Sequence, residues 1–285
     1  MTSLSTTTRR RPFMGSAAAY VLAWAAAAVS VGPFVWMILT SFKSTAESFV
    51  FPPTILPDSP TTSSYDRLFA ETNYLQFLTN SAIVAVCVTA IVCALATCAS
   101  YVLVRFQFAG LEWMARLTVL SYTMPAILLV VPVVRIFVFL GLIDSLLGLI
   151  VVYSALYLPL GIWLLRGFFI GLPPDPEESA MIDGCTRFQA FVRMAVPQAV
   201  PGIVTVGVFT FNATWNEYLY ASVMVQSPAA KTLSAGLASF IGEVSLYSWP
   251  MLMAAGVITS LPVLIVFLFL QRYLVSGLSA GAVKG

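Results

Sequence analysis

The stretch Pro173-Pro174-Asp175-Pro176-Glu177-Glu178-Ser179-Ala180-Met181-Ile182-Asp183-Gly184-Cys185-Thr186-Arg187-Phe188-Gln189-Ala190-Phe191-Val192-Arg193-Met194-Ala195-Val196-Pro197 separates two long apolar runs. Its local chemistry predicts two short helices. Asp175 can cap the first, with Pro176 at its first position and Glu178 three residues after the cap as the capping-box partner. Residues 176–183 then give two turns, roughly 12 Å at 1.5 Å per residue. Gly184 follows where a left-handed terminator is wanted. Thr186 can cap the second helix, with Gln189 as its partner, and Pro197 is expected to stop it where the chain returns to the apolar run. Two capped helices make a compact, rigid projection. Its apolar residues Ala180, Met181, Phe188 and Phe191 suit a groove on a soluble partner, although an ordinary connector would satisfy the same caps.

Composition says what the projection stands on. Of 285 residues, 59% are hydrophobic and 9% charged, against roughly 45–50% apolar and about 25% charged in a soluble domain. Such a chain cannot cover a water-facing surface, which excludes a soluble enzyme. A net charge of +2 with scattered arginines argues against nucleic-acid binding. Histidine is absent, removing imidazole-based metal sites and Ser-His-Asp chemistry. No G-x-x-x-x-G-K-[ST] loop occurs, so the chain itself is not expected to bind ATP. Cys87, Cys93, Cys98 and Cys185 form no C-x-x-C pair and read as small buried hydrophobes.

A membrane-spanning helix needs about 20 mostly apolar residues. Six segments qualify: Met14–Thr40, Phe77–Val104, Leu117–Leu140, Leu147–Ile170, Gln198–Val225 and Pro250–Tyr273. The third and fourth are expected to form a tight hairpin through Gly141–Ser145. Arg9, Arg10 and Arg11 before an Ala-rich run imitate a cleaved leader, but the run continues to Leu39, which favours an uncleaved span. With both termini cytoplasmic, the inner side carries Arg9, Arg10, Arg11, Arg105, Arg116, Arg166, Arg187, Arg193, Arg272 and Lys284, and the outer loops only Lys43, Arg67 and Lys231. The positive-inside rule selects that orientation. It makes 171–197 a cytoplasmic loop, and 41–76 and 226–249 outer loops.

Glu178-Ser179-Ala180, Gly184 and Met194-Ala195-Val196-Pro197 resemble, in spacing, the E-A-A…G…I-x-L-P signature of ATP-binding-cassette (ABC) importer permeases. Ser179, Met194 and Val196 depart from it while keeping size or apolar character. Asp183-Gly184, Pro201-Gly202, Trp215-Asn216-Glu217-Tyr218, Gly141-Leu142-Ile143-Asp144 and the ending Gly277–Gly285 are similar to the carbohydrate branch, the second permease of maltose-type importers. The resemblance covers residues 14–285. It implies an all-α membrane protein of six transmembrane helices with the type I ABC importer permease fold, in one permease domain (14–285) behind a flexible cytoplasmic tail (1–13). It implies a bacterial cell-membrane location, and half of a translocation path for a di- or oligosaccharide or related sugar. Loop 171–197 would then be the coupling helix, with Glu178, Ala180, Asp183, Gly184 and Pro197 carrying ATPase contact. The implied partners are a second permease in a heterodimer, two ATP-binding-cassette ATPases that hold ATP and Mg, an extracytoplasmic sugar-binding protein, and lipid. This chain would hold no cofactor or metal and carry out no catalysis.

Polar groups within spans are costly and are functional candidates. On one continuous helix, Phe211, Trp215 and Tyr218 fall within an arc of about 60°, with Asn212 and Asn216 on the adjoining stripe. Aromatic faces beside amides suit a sugar's C–H faces and hydroxyls, so these five are candidates for the substrate path; packing and helix–helix bonding are the alternative. Glu217 is a candidate outer gate or an interfacial group. Arg135 and Arg166 sit near span ends, where long side chains snorkel. Pro125, Pro132, Pro159 and Pro262 interrupt spans. An ion-gradient-driven secondary transporter is the rival reading. It calls for ionisable groups near mid-membrane and internal repeats; only Arg135 and Glu217 come close, and no repeat is seen.

Overall fold

The computed structural model describes residues 13–106, 110–243 and 249–282, the side chains of 13–18, 242–243 and 272–282 excepted. The expected tail, with Arg9, Arg10 and Arg11, lies outside the described residues but for residue 13. Among the described residues there are no strands. The helices in order are α1 (Phe13–Ser41), α2 (Ser63–Glu71), α3 (Tyr74–Arg105), α4 (Leu111–Thr123), α5 (Ala126–Phe139) and α6 (Leu146–Gly171). Then follow α7 (Asp175–Ile182), α8 (Arg187–Ala190), α9 (Val196–Trp215), α10 (Leu219–Met224), α11 (Leu233–Glu243) and α12 (Trp249–Ala282). Five segments are long and apolar enough to cross a membrane, or six if the bent pair α4–α5 counts as one.

That pair is the chief departure from six straight spans. Between Leu111–Thr123 and Ala126–Phe139 the axis turns by 102°. Pro125 disfavours helical geometry at the residue before it, and Met124 is extended at φ −71°, ψ 129°. Each half is only about 20 Å long, short of a hydrocarbon core of about 30 Å. Pro132, Pro159 and Pro262, expected as interruptions, stay inside continuous helices.

Contacts divide the chain into two compact units, residues 1–68 with 246–257 and residues 69–245 with 258–285. In the first, the segment after α1 is fastened by polar contacts. Buried Lys43 donates to the Thr54 carbonyl, while the Glu47 carboxylate accepts from Thr54 Oγ1 at 3.2 Å and the Asp58 amide at 2.8 Å. Ser41 Oγ meets Tyr65 Oη at 2.8 Å, and the Phe42 and Tyr65 rings lie 5.4 Å apart.

The second unit is built on α3, α6 and α9. Val84, Val88, Val92 and Ala96 recur every four residues and form one buried stripe along α3. Leu149, Val152, Tyr153, Ile162 and Leu165 of α6 and Val206 of α9 pack in the same core, which Val130 and Phe137 of α5 and Tyr220 and Met224 of α10 extend. Lipid tails are as apolar as these side chains, so association rests on close packing rather than on escape from water. Gly161 supplies it: a Cβ there would stand 3.1 Å from Val92 and 3.2 Å from both Ala96 and Val206. Ser100 Oγ adds a cross-helix bond to the Ile162 carbonyl at 2.9 Å. The cysteines are less enclosed than expected; Cys98 is exposed and the other three are half-buried.

The expected α5–α6 turn is present and tightly made. Gly141 (φ 67°) and Asp144 (φ 57°) take left-handed conformations, and Ser145 caps α6 by accepting from the Gly148 amide at 3.1 Å. The Asp144 carboxylate accepts from the amides of Gln226 at 3.0 Å and Ser227 at 2.9 Å, tying this turn to the segment after α10.

Candidate functional site

The 171–197 segment forms two short helices, α7 and α8, but its first cap differs from expectation. Pro174 takes the N-cap position in helical geometry, and its carbonyl accepts from Glu177 at 2.9 Å and Glu178 at 3.1 Å. Asp175 is therefore the first helical residue, and Glu178 has no capping-box role. Three acidic residues in the first turn, Asp175, Glu177 and Glu178, complement the helix dipole instead.

The far end of α7 matches expectation. Gly184 has φ +94°. Its amide reaches the Met181 carbonyl at 3.2 Å, and the Cys185 amide reaches Ala180 at 3.0 Å; that pair of bonds is a Schellman motif. Thr186 and Gln189 form a complete capping box at the start of α8. Pro197 does not stop the helix. The residues Phe191–Ala195 form a π turn, with the Val196 amide bonded to the Phe191 carbonyl, and α9 runs straight on with Pro197 in its first turn. A widened turn relieves the ladder ahead of a residue without an amide hydrogen.

Ala180 and Phe191, expected on the outer face, point inward. They are 5% and 8% exposed, and Phe191 packs with Tyr101, Phe169, Ala195 and Ala199. Met181 is half-buried; Ile182 at 87% and Phe188 at 72% are the most exposed large apolar residues, with Val192 at 45%, beside exposed Glu178, Asp183 and Gly184. Ile182 was not anticipated, although its place one turn after Glu178 on a short helix is a usable signal.

Glu177 was missed altogether. It is 4% exposed. One carboxylate oxygen accepts from Arg105 Nε at 3.0 Å and lies 2.9 Å from Nη2; the other accepts from Tyr101 Oη at 2.8 Å. Arg105 also donates to the carbonyls of Leu172 at 3.0 Å and Phe169 at 3.4 Å. The ends of α3 and α6 and the start of α7 thus meet at one buried ion pair.

The five substrate-path candidates are not on one helix. α9 ends at Trp215, Asn216 is its C-cap, and Tyr218 begins α10 from a separate geometry, so the aromatic arc drawn on a continuous helix does not form. Phe211 stacks on Trp215 with centroids 5.6 Å apart, and Trp215 is 4% exposed, its indole donating to the Thr259 carbonyl at 3.2 Å. Asn216 donates to the Asn212 carbonyl at 2.8 Å and side-chain oxygen at 3.1 Å. Asn212, Asn216 and Tyr218 are exposed. Glu217 holds the break: its carboxylate accepts from Tyr153 Oη and from the amides of Tyr220 at 3.0 Å and Ala221 at 3.2 Å. Arg135 is exposed on α5, and Arg166 is half-buried on α6. Among the described residues, no group of three or more His, Cys, Asp or Glu is arranged to hold a metal.

Comparison with known proteins places this architecture. Residues 98–280 match the family described as binding-protein-dependent transport system inner membrane component. A sulfoquinovosyl glycerol transport system permease of Agrobacterium fabrum is 37% identical over 89% of this chain and 88% of its own length. A trehalose/maltose transport system permease of Thermococcus litoralis is 33% identical over 91% and 93%. The crystal structure of a bacterial ABC transporter involved in alginate import superposes with a TM-score of 0.81 over 96% of this chain and 99% of that one, at 19% identity, which shows a shared type I permease fold. The chain is a multi-pass membrane protein, and it belongs to the inner-membrane components of binding-protein-dependent transport systems, the permeases of ABC importers.

Proposed function

We propose that the chain is the permease subunit of an ATP-driven sugar importer, with residues 14–285 acting as one domain that forms half of the path. The observation that carries this is the α7–α8 projection, capped at Gly184 and Thr186, pinned by Glu177 and presenting Ile182 and Phe188 outward. Exposed apolar side chains on a rigid mount mark a surface for a partner. Sugar is the proposed cargo because both permease relatives described above carry sugar-type names. A second permease completes the path, and two ATPases dock on the projections. An extracytoplasmic binding protein delivers the sugar. ATP and Mg reside on the ATPases, and this chain has no catalytic role. Both termini are cytoplasmic, which puts α7 and α8 on the ATPase side.

In this reading Glu178, Asp183 and Gly184 face the ATPase, Ala180 supports them from within, Pro197 stands exposed in the first turn of α9 at the foot of the projection, and exposed Asn212, Asn216 and Tyr218 face the path. Phe211 and Trp215 stiffen that wall. Glu217 serves the outer gate by holding the α9–α10 break.

Gentle purification of the tagged chain from its native membrane, followed by mass spectrometry, tests the assembly. An ATPase and a second permease are expected to co-purify, with the ATPase lost on Glu178→Arg. That reversal forfeits a favourable helix-terminus charge and adds an unfavourable one, each about 0.3–1 kcal/mol at an exposed site, too little to unfold the projection. Recovery of the chain alone would overturn the reading.

A further inference from the structure

The buried ion pair beneath the projection has a part that surface docking does not explain. Arg105 is the last residue of α3, where helix carbonyls lack partners and a cation is favoured. Its guanidinium also satisfies the Phe169 and Leu172 carbonyls at the end of α6. Glu177, in the first turn of α7, neutralises it. Tyr101, one turn before Arg105, takes the second carboxylate oxygen and lays its ring 4.5 Å from Phe191 in the π turn. Four segments therefore share one joint. The three acceptors are reached from three different nitrogens, Nε, Nη1 and Nη2, a spread that the single nitrogen of an ammonium does not reproduce, so lysine would not replace Arg105. With side chains only 12% and 6% exposed, this ion pair is largely withdrawn from water and costly to open, whereas one at the surface is worth little.

We propose that Glu177 and Arg105 are positioning residues for energy coupling: their ion pair makes α7 move as one body with the inner end of α3, so that a displacement imposed at Ile182 and Phe188 reaches the spans. This rests on the reading that α7 is where the ATPase docks. It predicts that cutting the pair leaves docking intact and lets the projection move without α3.

The test uses the whole transporter complex in lipid nanodiscs, with the native cysteines replaced by serine. Spin labels go on α7 at Asp175, which is exposed and makes no cap bond, and on the outward face of α3 at Leu95, 51% exposed. The probe is ATP with Mg and vanadate. With the pair intact, the label-to-label distance should hold as nucleotide binds. In Glu177→Gln, which keeps size but removes charge, and in Arg105→Lys, which keeps charge but removes the fork, the distance should shift by several ångströms on nucleotide binding while the ATPase still co-purifies. A merely structural lesion would broaden the distribution equally with and without nucleotide. ATP hydrolysed per conformational cycle should rise about tenfold. Variants that hold the wild-type distance through nucleotide binding would overturn the proposal, as would variants that lose the ATPase. Absence of an ATPase from the unsubstituted complex would instead sink the docking reading.

Discussion

Replacement of Gly184 by valine isolates what the end of α7 contributes. A Cβ at this position would meet nothing of this chain within 4 Å, so no clash within the subunit enters the outcome. The cost is conformational. At φ +94°, an L residue loses about 1–2 kcal/mol, and strained backbone of this kind costs up to about 3 kcal/mol. Should the backbone swing to negative φ instead, the Gly184–Met181 and Cys185–Ala180 bonds are lost, at about 0.5–1.5 kcal/mol each. Both routes give about 1–3 kcal/mol, the size of coupling that changes an equilibrium by about 5–150-fold. Asparagine tolerates the left-handed region and alanine does so less, so the series Asn, Ala, Val should loosen coupling in that order. The assay is ATP hydrolysed per sugar imported by the reconstituted complex, with membrane insertion checked by protein yield. Normal uptake and stoichiometry in a stably inserted Gly184→Val variant would refute the reasoning.

Other positions give separate tests. Gly202→Ala puts a Cβ 2.6 Å from the base of the Phe168 ring; overpacking of about 1–3 kcal/mol should outweigh the gain in helix propensity and lower the thermal midpoint in detergent. Glu217→Ala strips the acceptor from two amides and the Tyr153 hydroxyl, each orphaned group costing about 1–3 kcal/mol, and should speed hydrogen exchange at Tyr220 and Ala221. The Asp144 carboxyl is held below the ordinary carboxylate range, first by the Ser227 amide, then by the Ser227 side chain and the Gln226 amide, against desolvation. A depressed folded value stabilises above the ordinary carboxylate range and is lost as pH falls through it. The tie between the α5–α6 turn and Ser227 should accordingly be constant from neutral pH down to mildly acidic and open only in stronger acid, whereas Asp144→Ala should open it throughout, read as exchange at Gln226 and Ser227.

What the sequence made legible was local chemistry. Gly184, the Thr186–Gln189 box and the α5–α6 turn depend on a handful of neighbouring residues, and each stands as its residue types require. Apolar length likewise identified the long helices. Where two local solutions compete, the reading slipped: Pro174 took the cap that Asp175 was equipped for, and a π turn carried the helix past Pro197. Pro125 announced a break but not its 102° angle. Long-range partners were invisible. Glu177 draws its meaning from Arg105, 72 residues earlier, and nothing in its own neighbourhood separates it from Glu178. The burial of Trp215 likewise depends on a distant partner, its indole donating to the Thr259 carbonyl, 44 residues later.

The most direct test of the central claim is sugar uptake by proteoliposomes containing the complete complex and its binding protein, with ATP inside the lumen facing the ATPases. Uptake is expected to require hydrolysable ATP, to persist when ionophores abolish ion gradients, and to cease in Glu178→Arg. Uptake that continues without ATP and follows an imposed proton gradient would contradict the account and identify the chain as a secondary transporter.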